Sequence, residues 1–288
     1  MLQDLSFGRL ENEFRTTAPV GTDIALCFQA DQILLCRAQD DTLHLPTCAQ
    51  VKQWSGVHNW PRWSEEPLRY TFRMQDHNYF LWMGEAGKND GGFSYESVRQ
   101  LRQLISKDIC FAVMTGWHLF TWYRANRFCG RCAAPTVLDG VERMVRCPAC
   151  GNLIFPKICP AVIVAVTDGD RLLLSKYAGR SYTRYALIAG YTEIGETIEQ
   201  TVCREVMEEV GLKVKNLRYY KSQPWGVDGN VLMGFYCDLD GSDTIRLDHT
   251  ELALAEWHPR DNLPAQDDGI SLTREMIRVF SKNKEPKA

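Results

Sequence analysis

The stretch from Gly190 to Leu212 has its local structure written into its residues at both ends, and so constrains whatever folds around it. Thr197 followed three residues later by Gln200 forms a capping box, in which each side chain accepts the other residue's backbone N–H, so a helix starts there. Gly211, free of a Cβ penalty in the left-handed region, stops that helix after Val210. Inside it Ile198, Val202, Val206 and Val210 recur every four residues as a packing stripe. Glu205, Glu208 and Glu209 fall within an arc of roughly 100° along one edge of the stripe. Like charges one turn apart cost roughly a few tenths of a kcal/mol per pair, so the crowding calls for a compensating ligand. A hard divalent cation, Mg²⁺ or Mn²⁺, is one: it prefers carboxylate oxygens and is commonly shared with substrate phosphates. The plain alternative is a solvated acidic face. Against it stand Arg204, able to orient a neighbouring carboxylate, and the glycine-punctuated loop that carries Glu193 and Glu196.

Four of the eleven cysteines come in pairs. Cys129 and Cys132, like Cys147 and Cys150, are separated by two residues, with fourteen between the pairs and Gly130, Pro148 and Gly151 beside them. That separation lets both thiolates of a knuckle reach one ion at about 2.3 Å, and two knuckles close a tetrahedral shell with no position left for water. The spacing therefore predicts a structural Zn²⁺ site. Two disulfides or four incidental thiols are the other readings, but a chain with a sizeable core and no secretion signal has no need of staples. The remaining seven, Cys27, Cys36, Cys48, Cys110, Cys159, Cys203 and Cys237, stand singly among apolar residues and read as small hydrophobes.

With 288 residues and 45% apolar content, two or three folded units are expected. Residues 1–126 read as an N-terminal α/β domain. Its strands run over Ile24 to Phe28, Gln32 to Arg37 and Tyr79 to Trp82; a mostly helical part from Ser94 to Asn126 is divided at Asp108 and Gly116. No chemical motif lies there, so support or dimerisation is its expected role. Residues 127–155 are the ribbon. Residues 156–288 alternate strands (Ala161 to Thr167, Arg171 to Ser175, Leu217 to Ser222, Val231 to Leu239) with helices (Thr197 to Val210, Ser271 to Phe280), as in an α+β or α/β sandwich. A formal charge of -3 argues against a general nucleic-acid binder, and no apolar run approaches the roughly 20 residues that cross a bilayer, so a cytoplasmic protein is expected. Arg131, Arg143 and Arg146, in or next to the ribbon, keep a zinc-ribbon RNA-binding module open as a reading of another class, diluted by Asp139 and Glu142.

The segment resembles the Nudix box: Gly190, Glu196, Arg204, Glu205, Val206, Glu208, Glu209, Gly211 and Leu212 fill every defined position of its 23-residue pattern. The resemblance implies an α/β/α sandwich and attack of metal-activated water on a diphosphate. Over essentially its whole length the chain is further similar to the bacterial NADH pyrophosphatase (NAD⁺ diphosphatase) family. It shares the N-terminal domain, the four-cysteine ribbon and a second signature whose first half is matched by Ser222, Gln223, Pro224 and Trp225. Where that family continues Pro-Phe-Pro-x-Ser, this chain has Gly226, Val227, Asp228, Gly229 and Asn230, a more flexible and polar loop. Because the loop helps choose the dinucleotide, the preference among NADH, NAD⁺ and ADP-ribose stays open.

By the same resemblance, Glu205, Glu209, Glu251 and the backbone carbonyl of Ala189 ligate the catalytic cation. Glu209 is the base, with Glu208 and Arg204 completing the catalytic set. Phe155 and Tyr191 stack on the nicotinamide side, Glu142 contacts substrate from the partner subunit of a homodimer, and Gln223, Pro224, Trp225 and Asn230 line the site. The implied reaction turns NAD(H) into NMN(H) and AMP, and extends to removing NAD caps from RNA.

Overall fold

The computed structural model describes residues 1–38, 42–53, 67–84, 92–179, 183–264 and 269–287. Contacts gather them into two units, one of residues 3–157 with 226–229 and the other of residues 1–2, 158–225 and 230–288. The ribbon, expected as a domain of its own, falls within the first unit.

In the first unit β1 (Ile24–Leu26) pairs with β6 (His77–Trp82), which pairs with β5 (Leu68–Met74). A second sheet joins β2 (Phe28–Gln29), β3 (Gln32–Arg37), β4 (Leu43–His44) and β7 (Phe93–Ser97). Helix α1 (Cys48–Lys52) and helix α2 (Lys107–Ala125) complete it, with ribbon strands β8 (Val137–Leu138), β9 (Val145–Arg146) and β10 (Leu153–Ile154). The helical reading of Ser94 onward is corrected: Ser94 to Ser97 belong to β7, paired antiparallel with β3, because Phe93 and Tyr95 pack on the core of Ala25, Cys27, Leu34 and Phe80. Nor do Asp108 and Gly116 divide the helix. Ser106 caps α2, Asp108 lies in its first turn, and the helix runs unbroken through Gly116. A Cβ at Gly116 would sit 2.3 Å from Leu26 Cδ1, so this glycine serves the close approach of α2 to β1 rather than a chain break.

The second unit is built on β11 (Cys159–Asp168), β12 (Arg171–Tyr177), β13 (Ile188–Tyr191), α3 (Ile198–Val210), β14 (Val214–Trp225), β15 (Asn230–Leu239), β16 (Leu252–Pro259) and α4 (Leu272–Ser281). The sheet order is β14-β15-β11-β12-β16, with β13 also on β11; only β11 and β15 run parallel. Val162, Val164 and Val166 of β11 face Val202, Val206 and Val210 of α3, while Ile163 and Ala165 face Leu272, Met276 and Phe280 of α4. Both faces of the sheet are thus covered. That is why β11 reads as a continuous apolar run instead of an alternating one. The result is the expected α/β/α sandwich. Two strands of this unit escaped the sequence reading: β13, four residues containing a glycine, and β16, whose apolar residues are broken by Glu256 and His258. Among the described residues no helix is long and apolar enough to cross a membrane.

Candidate active site and metal centres

The site begins with a gap in the sheet. Strands β11 and β12 pair only at their hairpin end, Thr167 with Leu172 and Asp168 with Arg171. Farther along, β13 takes the place beside β11, pairing Val164 with Ile188 through to Ala161 with Tyr191. Helix α3 then packs over this ladder. Its capping box is formed, with the Gln200 N–H donating to Thr197 Oγ1 at 3.2 Å and the Thr197 N–H to Gln200 Oε1 at 2.8 Å. Gly211 ends it at φ +67°.

Packing brings Glu205 directly onto Gly190: a Cβ there would meet the Glu205 carboxylate carbon at 1.9 Å. Only glycine lets the carboxylate occupy that position. Gly190→Ala is therefore expected to displace Glu205 and lower kcat roughly a hundredfold, the scale of a 1 Å misplacement in an active site. Steady-state kinetics check this, and a near-wild-type rate would show that the seating of Glu205 is not needed.

Arg204 is the hub. Its Nε donates to Glu196 Oε1 at 2.6 Å, and its two terminal nitrogens donate to Glu205 (2.8 Å), Glu208 (2.8 Å), Glu196 Oε2 (2.9 Å) and the Tyr191 carbonyl (2.9 Å). Hydrogen bonds from Arg204 and from the Glu193 backbone hold Glu196 well below the usual carboxylate range, at about 2. Glu196 is thus a fixed anion that anchors the guanidinium, helped by the Thr201 hydroxyl at 3.0 Å. Reading the sequence for ligands left both out of the site; the position of Glu196 eight residues before Arg204 was the available signal.

Sequence reading put three acids on one edge of α3, and packing separates them. Glu205 and Glu209 are buried, 8% and 2% exposed, whereas Glu208 is exposed and reaches back to Arg204. Burial pushes the Glu205 carboxyl up, Arg204 pulls it down, and the negative Glu208 and Glu251 push it up again, leaving it raised. Buried carboxylates with more negative neighbours than Arg204 balances form a donor set that fits a hard divalent cation. The side-chain oxygens of Glu205, Glu209 and Glu251 do not all lie within 4.8 Å of one another, so in this conformation the three cannot all ligate one ion directly. At least one must shift or act through a water. Ala189, whose carbonyl was expected as a further ligand, lies in β13 opposite Ile163.

The ribbon does gather its ligands. Cys129, Cys132, Cys147 and Cys150 hold their sulfurs within 4.8 Å of one another, the one such cluster of metal-ligating side chains among the described residues. Cys129 and Cys150 stand 3.6 Å apart, Cys132 and Cys147 3.4 Å, all as free thiols. The Arg131 N–H, donating at 3.4 Å, brings the Cys129 thiol down to about 6, ready to bind as a thiolate. Arg143 is engaged within its own unit. Its guanidinium donates to the carbonyls of Asn12 (3.0 Å) and Thr71 (2.6 Å) and lies over the Phe14 ring, while Arg131 and Arg146 stay exposed. Among the seven scattered cysteines Cys203 is exposed, on the outer side of α3, unlike the buried hydrophobe expected.

The residues expected to line the substrate site are placed unevenly. Glu142 and Phe155 are exposed and belong to the first unit. In the second unit Tyr191 is half exposed, Pro224 exposed and Trp225 partly buried. Gln223 lies wholly inside, donating to the Ile270 carbonyl at 2.8 Å and accepting the Leu272 N–H at 2.7 Å, which secures the start of α4. Asn230 is buried and donates to the Tyr191 hydroxyl at 3.1 Å. The loop Gly226–Gly229, expected to be flexible, is held by α2: a Cβ at Gly226 would lie 2.2 Å from the Met114 carbonyl oxygen, Trp117 Nε1 donates to the Val227 carbonyl at 3.3 Å, and Asp228 pairs with Arg99 at 2.8 Å.

Residues 157–280 match the family described as the NUDIX domain, and residues 124–155 match the NADH pyrophosphatase zinc ribbon domain. The chain is 38% identical over 182 residues to an NAD-capped RNA hydrolase NudC of Pectobacterium atrosepticum, covering 62% of this chain and 70% of the relative. It is 37% identical over 236 residues to that of Pectobacterium carotovorum subsp. carotovorum, covering 80% and 83%. A crystal structure of a NUDIX hydrolase from Nitrosomonas europaea aligns with a TM-score of 0.47 at 21% identity, covering 54% of this chain and 91% of that one.

Proposed function

Because the chain belongs to the Nudix hydrolases, in the group with the NADH pyrophosphatase zinc ribbon, we propose that it hydrolyses the diphosphate of NAD(H) to NMN(H) and AMP, and removes the same dinucleotide from the 5′ ends of capped RNA. The observation that carries this reading is the Glu205 carboxylate seated on Gly190 and held by Arg204, with buried Glu209 one turn further on. Glu205, Glu209, Glu251 and the Ala189 carbonyl would hold Mg²⁺ or Mn²⁺. When bound, such an ion offsets diphosphate charge and lowers the pKa of bound water.

The chain's own residues do the rest. Glu209 accepts the proton of the attacking water, whose oxygen bonds to one phosphorus as the anhydride P–O bond breaks and the other phosphate departs with the electron pair. Arg204 keeps Glu205 and Glu208 in place, and Glu196 keeps Arg204 in place. Tyr191 and Phe155 stack on the nicotinamide half, and Glu142 reaches the substrate from the partner subunit in a cytoplasmic homodimer. Gln223, Pro224, Trp225 and Asn230 shape the pocket wall, Gln223 from inside the fold. The engagement of Arg143 with the backbone carbonyls of Asn12 and Thr71 weighs against a ribbon that serves as an RNA-binding module in its own right.

The test is a substrate panel. With purified protein and Mg²⁺ or Mn²⁺, AMP release is expected from NADH and NAD⁺ at higher kcat/KM than from ADP-ribose, with an NAD-capped RNA also uncapped. A marked preference for ADP-ribose over both dinucleotides would sink the reading.

A further inference from the structure

Asn230 opens β15, paired with Trp225 on one side and Cys159 on the other, while Tyr191 closes β13 opposite Ala161. The two residues therefore sit at the same end of the sheet on the two strands that flank β11. Side chains alternate along a strand, so Asn230 shares the face of Leu232, and Tyr191 that of Ala189. Leu232 and Ala189 both pack on the α4 side. The two side chains meet on that face across the start of β11, where Asn230 Nδ2 donates to the Tyr191 hydroxyl at 3.1 Å. Asn230 is 8% exposed, and the other end of its carboxamide, Oδ1, is buried with no hydrogen-bond partner. An amide kept only for packing would have both ends satisfied, since an orphaned buried acceptor destabilises the fold.

Tyr191 is held at two points. Its carbonyl accepts from Arg204 at 2.9 Å and its hydroxyl from Asn230, yet half of the residue remains exposed. A ring tethered at its far end has given up much of its rotational freedom before any ligand arrives, which is how a stacking surface is preorganised. Position 230 is also where the similar family's signature ends in Ser, and Asn carries its polar group farther from the backbone.

From this geometry we infer that Asn230 and Tyr191 form a specificity-determining pair, in which the Asn230 carboxamide fixes the ring on which a planar base of the substrate stacks. The inference rests on the proposed dinucleotide reading, which puts the nicotinamide half at Tyr191. Asn230 is a positioning residue; Tyr191 touches the substrate. The hydrogen bond couples base recognition to the Arg204 hub through a single residue.

Calorimetric titration with NMN and with AMP, without turnover, tests the pair in the full chain as wild type, Tyr191→Phe, Asn230→Ser and the double variant. Each single change is expected to weaken NMN binding roughly 3- to 10-fold, the range of one hydrogen bond, and to leave AMP binding unchanged. The double variant should be no weaker than the worse single one, because both remove the same interaction. Unchanged NMN affinity in both singles, equal weakening for AMP, additive losses, or no NMN binding by the wild type would overturn the inference. AMP release from NADH by the same wild-type preparation is a separate readout: its absence counts against the dinucleotide reading, while the titration still judges the pair.

Discussion

Glu209→Gln is expected to reduce kcat by about three orders of magnitude or more, since general-base catalysis alone is worth 10²–10⁴-fold and the same carboxylate is proposed as a cation ligand. Glutamine keeps the volume of the buried side chain, so the loss would report charge and basicity rather than shape. Stability should move the other way or not at all, because Glu209 is only 2% exposed and removing a buried charge removes a desolvation cost. Glu208→Gln provides the contrast. Glu208 is exposed and bonded to Arg204, so its loss is expected to cost no more than about tenfold, in line with one charge-assisted hydrogen bond. Wild-type turnover by Glu209→Gln would remove that residue from the catalytic set.

The second large effect concerns the ribbon. Its three strands are two residues each, too little to persist by backbone pairing alone, while structural zinc contributes roughly 10–16 kcal/mol in small finger peptides. Cys147→Ser is therefore expected to abolish equimolar zinc by elemental analysis and to lower Tm by about 10 °C or more. The damage should reach the N-terminal strands, because Arg143 joins the ribbon to the carbonyls of Asn12 and Thr71. Chelation of the wild type should do the same, and Mg²⁺ should not reverse it, since four thiolates select a soft ion. A chain that purifies without zinc and keeps its Tm would contradict the assignment.

Helix α3 was legible because both its ends are stated by local residues, Thr197 with Gln200 and Gly211, and because its valines repeat on one face. The ribbon was legible for the same reason, its chemistry being fixed by spacing. What escaped depends on partners remote in the sequence. Gly116 resembles a helix breaker until Leu26 is seen pressed against it. Gly190 reads as loop punctuation, though its meaning is the Glu205 carboxylate fifteen residues later. Gln223 and Arg143 have the side chains of ligands, but the fold spends them on the start of α4 and on backbone carbonyls. Glu205, Glu208 and Glu209 share an edge by periodicity, yet only packing tells which are buried. The loop Gly226–Gly229 looked free because its anchors, Arg99 and Trp117, lie over a hundred residues earlier.

The product balance of NADH hydrolysis by the purified chain, followed by chromatography with and without a divalent cation, tests the proposed reaction most directly. NMNH and AMP are expected in equal amounts, formed only when Mg²⁺ or Mn²⁺ is present and stopped by a chelator. Release of nicotinamide and ADP-ribose in place of NMNH and AMP, or no cleavage under any cation, would contradict it.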